Sequence, residues 1–92
     1  MLEQRIAVTN RLGLHARAAA RLVRTAGGFR STIRLQRADG SAAADAKSIL
    51  SVLMLAAARG TELRLTVEGA DEAAALAAVC ALFEQKFGEE QV

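Results

Sequence analysis

Runs whose apolar residues fall on every second position alternate along the chain with runs whose apolar residues recur at helical spacing. No run is long enough to bury its own apolar side, so the pieces must cover one another. Ile6 and Val8 alternate with polar or small neighbours up to Thr9-Asn10, which reads as a first strand. From Ala16 onward, Ala19, Leu22, Val23 and Ala26 make one helical stripe and Arg17, Arg21 and Arg24 another, with Gly27-Gly28 as the stop. Ile33 and Leu35 alternate with Arg34 and Gln36. Asp39-Gly40 then suits a two-residue hairpin turn, whose central positions need positive backbone angles, and Ser41 to Asp45 reads as the returning strand. A second helix is expected from about Lys47 to Arg59, closing at Gly60. Leu63, Leu65 and Val67, alternating with Glu62, Arg64, Thr66 and Glu68, mark the clearest strand. Asp71 suits the N-cap of a last helix carrying Leu76, Val79, Cys80, Phe83 and Phe87 on one face.

The order β, α, β, β, α, β, α specifies an α+β fold. A four-stranded antiparallel sheet with three helices on one face, an open-faced sandwich, buries the apolar side of every piece. No linker or repeat interrupts it, so residues 1–92 read as a single domain. A chain of 92 residues has one modest core, and its chemistry belongs on the surface or at the end of an element, not in a deep cleft. Much of the 52% apolar share is alanine, and three phenylalanines are the only aromatic residues, which suits close helix–sheet packing and gives no platform for stacking bases.

Other function classes are narrowed by what the chain lacks. No stretch approaches the length of a membrane span and the N-terminus has no basic-then-apolar signal pattern, so a cytoplasmic chain beginning near Met1, with no membrane insertion, is expected. One cysteine allows no internal disulfide, and one cysteine with one histidine cannot assemble a zinc site; neither metal nor cofactor is expected. The net charge of +2 conceals a polarity: residues 1 to 37 carry eight arginines against Glu3 alone, and residues 38 to 92 carry four basic against nine acidic residues. A basic N-terminal part suits an anionic ligand or an acidic partner surface.

The segment Asn10-Arg11-Leu12-Gly13-Leu14-His15-Ala16-Arg17 places the only histidine at a strand-to-helix junction, just after a glycine. Histidine is not among the favoured capping residues, so capping alone does not account for it. A helix N-terminus presents free backbone N–H groups, here including those of Ala16 and Ala18, and a partial positive charge that stabilises an oxyanion. The same dipole favours the neutral ring, whose lone pair can attack phosphorus. A cation in the first turn opposes the dipole, so Arg17 is poor for helix stability but well placed to pair with phosphoryl oxygens.

Gly-Leu-His-Ala-Arg at residues 13 to 17, followed by an alanine-rich helix, resembles the phosphorylation motif of the HPr family of bacterial phosphotransferase systems and its nitrogen-branch relatives. The resemblance spans the chain and implies an HPr-like domain that carries a phosphoryl group on Nδ1 of His15, with Arg17 stabilising it. It implies Enzyme I, charged from phosphoenolpyruvate, as donor and EIIA proteins or domains as acceptors, in a relay and not as a free-standing enzyme. The family pattern has proline after the arginine; this chain has Ala18 and no proline, which leaves one more N–H free and the first turn less fixed, and so implies a tuned site.

The resemblance also matches Ser48, at the start of the second helix, to a regulatory serine phosphorylated in some lineages by an HPr serine kinase/phosphorylase. The plainer reading of Ser48 is an N-cap. That helix carries more apolar surface than one core stripe needs: Val52, Leu55 and Ala56 suffice, leaving Leu50, Leu53 and Met54 as an exposed patch rimmed by arginines of the first helix, Arg24 among them. The patch reads as a docking face, and the resemblance implies that Enzyme I, EIIA and the kinase use it together with the first helix. Cys80 reads as a small core residue. Two other functions are weighed: a nitrogen-branch regulatory carrier, which has the same His15 chemistry and differs in the EIIA that accepts the group, and, with less support, a non-catalytic binding module. Nucleic acid is not expected as a partner, because the arginines lack interleaved aromatics.

Overall fold

The computed structural model describes residues 1–89. Strands β1 (Leu2–Ala7), β2 (Thr32–Arg37), β3 (Ala43–Asp45) and β4 (Glu62–Glu68) form one sheet in the order β1-β4-β2-β3. Every neighbouring pair is antiparallel. Three helices, α1 (Ala16–Gly27), α2 (Ile49–Met54) and α3 (Glu72–Glu84), cover one face. The expected open-faced sandwich and element order are observed.

Register explains the layering. Val67 of β4 pairs with Ile33 of β2 and Leu2 of β1, Leu65 with Leu35, and Leu63 with Ile6, so apolar positions of three strands line up under the helices. Ile33, Leu35, Leu63, Leu65 and Val67 are fully buried, each contributing about 1.5–3 kcal/mol of burial. From the helices come Ala18, Ala19, Leu22 and Ala26 of α1, Val52 of α2, and Ala75, Val79 and Phe83 of α3. The buried alanines of α1 have little volume to interpose, so its backbone can lie close to α2 and α3.

Several boundaries differ from expectation. β1 begins at Leu2, and Val8 extends it by bonds to Thr61 and Gly60. α1 stops at Gly27, but Gly28 keeps right-handed angles and turns its N–H back to Thr25, so neither glycine closes the helix in the left-handed way. The β2–β3 hairpin is not a two-residue turn: Arg37 N–H bonds Ala42 O across a wider loop, only Gly40 has positive φ (+79°), and β3 shrinks to Ala43–Asp45. Asp39 uses its carboxylate instead, accepting from the Ser41 N–H and hydroxyl.

α2 is the largest departure, six residues in place of about thirteen. It ends as Leu55 and Ala56 turn their N–H groups to Val52 and Leu53, and Ala56 takes φ +52°. The chain from Ala57 onward is then free to pass under the loop before α1, where the Ala57 carbonyl accepts from the Leu14 N–H at 2.9 Å. Ala56 is consequently exposed, and Ala57 joins Val52 and Leu55 in the core in its place.

At the other end, α3 stops at Glu84 and Phe87 lies beyond it in a 3-10 turn, not on the helix face. Lys86 and Phe87 both take left-handed angles, φ +54° and +57°, at a cost of about 1–2 kcal/mol each. The turn folds the Phe87 ring back into the core against Phe83, centroids 4.8 Å apart and edge-on. Asp71 does not cap α3 with its side chain. Its carboxylate instead accepts from the N–H groups of Arg30 and Ser31 and from the Ser31 hydroxyl, joining α3 to the entry of β2. The Ser31 hydroxyl and the Arg30 N–H hold the Asp71 carboxyl below its ordinary value.

Candidate functional site

The loop between β1 and α1 is tied to the molecule at three points. Asn10, buried, donates from Nδ2 to Gly13 O at 2.7 Å, and Gly13 N–H returns to Asn10 O at 3.2 Å. Gly13 has φ +67°, and a Cβ there would stand 2.6 Å from the Ala57 carbonyl oxygen, so only glycine lets the loop pass this close to the segment after α2. Leu14 points into the core, 6% exposed. These ties fix the residue that follows.

His15 is the N-cap of α1, with extended backbone angles of φ −77° and ψ −179°. Its Nδ1 accepts from the Arg17 N–H at 3.3 Å. A ring nitrogen that accepts carries no proton, so the neutral ring bears its hydrogen on Nε2 and keeps a lone pair on Nδ1, aimed at the first turn. Nε2 lies 2.8 Å from Oε2 of Glu89, which accepts that hydrogen. The second Glu89 oxygen accepts from Asn10 Nδ2 at 3.1 Å. The His15 ring first, then Asn10, hold the Glu89 carboxyl below its ordinary value against the opposing effect of burial.

Arg17 is exposed, and its guanidinium makes no ion pair among the described residues. The N–H groups of the α1 first turn, including those of Ala16 and Ala18, have no intrahelical partners. Ala16 is exposed, whereas Ala18 is fully buried as a whole residue, so its N–H, expected in the anion cradle, does not reach the surface. The Nδ1 lone pair and the Ala16 N–H therefore share the exposed head of α1, with the Arg17 cation on the same first turn, an arrangement able to take up a dianionic phosphoryl group on nitrogen. Arg21, on the same stripe in sequence, is committed elsewhere and donates to the Phe87 carbonyl.

Leu50 (64% exposed), Leu53 (37%) and Met54 (73%) stand on the outer side of α2, and α2 lies against α1. Ile49 of α2 and Leu12, three residues ahead of His15, are also exposed apolar residues. Arg24 is exposed in the last turn of α1, where a cation complements the helix dipole. Ser48 is the N-cap of α2, its hydroxyl accepting from the Ser51 N–H at 3.3 Å. Cys80 is half-buried beside Phe83 and β1, and burial pushes its thiol up. Glu89 is the site residue that the sequence reading missed: it lies 74 residues from His15, and no periodicity or motif connects them.

A small open-faced sandwich presenting a histidine at a helix N-terminus has the architecture of a phosphoryl-carrying domain. The family described as "PTS HPr component phosphorylation site" matches residues 2–85. Phosphocarrier protein HPr of Xylella fastidiosa (strain Temecula1) is 46% identical over 98% of this chain and 99% of its own length. Phosphocarrier protein NPr of Escherichia coli (strain K12) is 38% identical over 97% and 98%. A crystal structure of HPr-C-His from Thermoanaerobacter tengcongensis superposes with a TM-score of 0.91 at 41% identity, covering 99% of this chain and all of that one. The chain belongs to the HPr family and is a phosphocarrier of the phosphotransferase system. Among the described residues no helix is long and apolar enough to cross a membrane.

Proposed function

We propose that Nδ1 of His15 is the phosphoryl acceptor, with phosphorylated Enzyme I as donor and EIIA proteins as the next acceptors, in the cytoplasm. One observation carries this reading: Nδ1 faces the Arg17 N–H at the head of α1, so nucleophile and anion cradle occupy the same place. As phosphorus bonds to Nδ1, the N–H groups of Ala16 and Arg17 and the Arg17 guanidinium meet the phosphoryl oxygens. Leu50, Leu53 and Met54, with Arg24 at the rim, form the surface on which donor and acceptors dock in turn. Ser48 phosphorylation by an HPr serine kinase/phosphorylase would add negative charge beside that surface, although the hydroxyl already has a capping task. The nitrogen-branch reading draws on the relative NPr; the EIIA that takes the group separates it from sugar uptake.

The test is incubation with Enzyme I and phosphoenolpyruvate, followed by intact mass and phosphorus NMR. Wild type gains one acid-labile phosphoramidate, and His15→Ala gains none while keeping its fold. Unmodified wild type with cognate Enzyme I would overturn the reading.

A further inference from the structure

Glu89 is held more firmly than a residue near the end of a small domain needs to be. Its side chain is only 13% exposed, and it accepts from His15 Nε2 and from Asn10 Nδ2. The turn that delivers it runs through two left-handed non-glycine residues and Gly88 at φ +72°, anchored by the buried Phe87 ring and by the Arg21 bond to the Phe87 carbonyl. Strained backbone that persists is held by its surroundings, and here it ends on the reactive ring. We infer that Glu89 is a positioning residue for His15, holding the hydrogen on Nε2 and the ring plane fixed so that Nδ1 presents its lone pair to the α1 N-terminus.

This rests on the phosphoryl-transfer reading of His15 and deepens it. In the resting state Nε2–H donates to the Glu89 carboxylate. As the Nδ1 lone pair bonds to phosphorus, the bond from phosphorus to the donor's leaving atom breaks and that atom keeps the electron pair. The ring then carries a positive charge with its hydrogen still on Nε2, beside the carboxylate that offsets it. On transfer to an acceptor the N–P electron pair returns to Nδ1, so no proton need leave the ring in either direction. Glu89 touches neither phosphorus nor its oxygens and acts through the ring.

Two measurements decide it. In proton–nitrogen spectra of the unphosphorylated protein, the His15 Nε2–H signal should be visible in wild type and broadened by solvent exchange in Glu89→Ala. With Enzyme I and phosphoenolpyruvate, Glu89→Ala and Glu89→Gln should lower kcat about tenfold while leaving KM near wild type, the loss expected for one partly buried charge-assisted hydrogen bond. Leu50→Asp, on the docking surface, should instead raise KM. Glu89→Gln keeps the size of the side chain and separates charge from packing. A wild-type kcat in both Glu89 variants, or an exchange-broadened Nε2–H in wild type, overturns the inference even though His15 is labelled. Failure of the transfer reading is distinct, for then wild type takes no label at all.

Discussion

The heads of α1 and α3 treat their caps in opposite ways. At α1 the cap is His15, a poor capping residue, yet its ring accepts from the Arg17 N–H. At α3 it is Asp71, a good one, yet its carboxylate turns to Arg30 and Ser31. The Asp71 choice is local energetics: buried Ser31 would otherwise leave a hydroxyl and an N–H unpaired, a larger loss than one exposed end of a helix. At α1 the loop ties at Asn10, Gly13 and Leu14 place His15 at the helix head, and Glu89, taking the other ring nitrogen, leaves Nδ1 to the Arg17 N–H. A cap preference decides the outcome only where no distant partner competes for the same atoms.

The contrast can be broken most strongly at Gly13. Gly13→Ala sets a Cβ against the Ala57 carbonyl at a left-handed position, and should cost about 3 kcal/mol in urea unfolding and slow labelling of His15 together. On the α3 side, Asp71→Ala should lower Tm and speed amide exchange at Arg30 and Ser31, with little change in the first turn of α3. A pure cap would show the reverse. Because the folded Asp71 carboxyl sits below its unfolded value, its contribution is fully present above the ordinary carboxylate range and is lost as pH falls through the folded value. Tm of wild type should therefore drop on acidification below about pH 4, and Asp71→Asn should flatten that limb. The smallest effect is at Ser48, where a favoured cap does bond its helix. Ser48→Ala should cost about 1 kcal/mol and leave labelling of His15 unchanged.

What could be read from the chain divides by the range of the determining contact. The alternation of Leu63, Leu65 and Val67 defined β4 to the residue, and the apolar excess of α2 identified Leu50, Leu53 and Met54 as outward-facing. His15 and Arg17 stood out because each is locally a poor choice for the start of a helix. The errors share the other cause. α2 ends early because Ala57 is needed by Leu14, Phe87 leaves α3 through a left-handed turn that helical periodicity does not register, and Asp71 answers to Ser31 forty residues away. Glu89 belongs with these, since its partners Asn10 and His15 lie at the opposite end of the chain.

The side of the sheet away from the helices is lined by Glu3, Arg5, Arg34, Glu62 and Arg64, exposed and partly paired across strands, as in Arg64 with Glu3 at 3.0 Å. Such a wall is wettable and offers nothing greasy to hold. A relay of the proposed kind therefore has one working side, and whoever gives and whoever takes must queue for it. The domain would visit them singly, each handover a separate collision, and the flux through the route would scale with how many copies are in circulation.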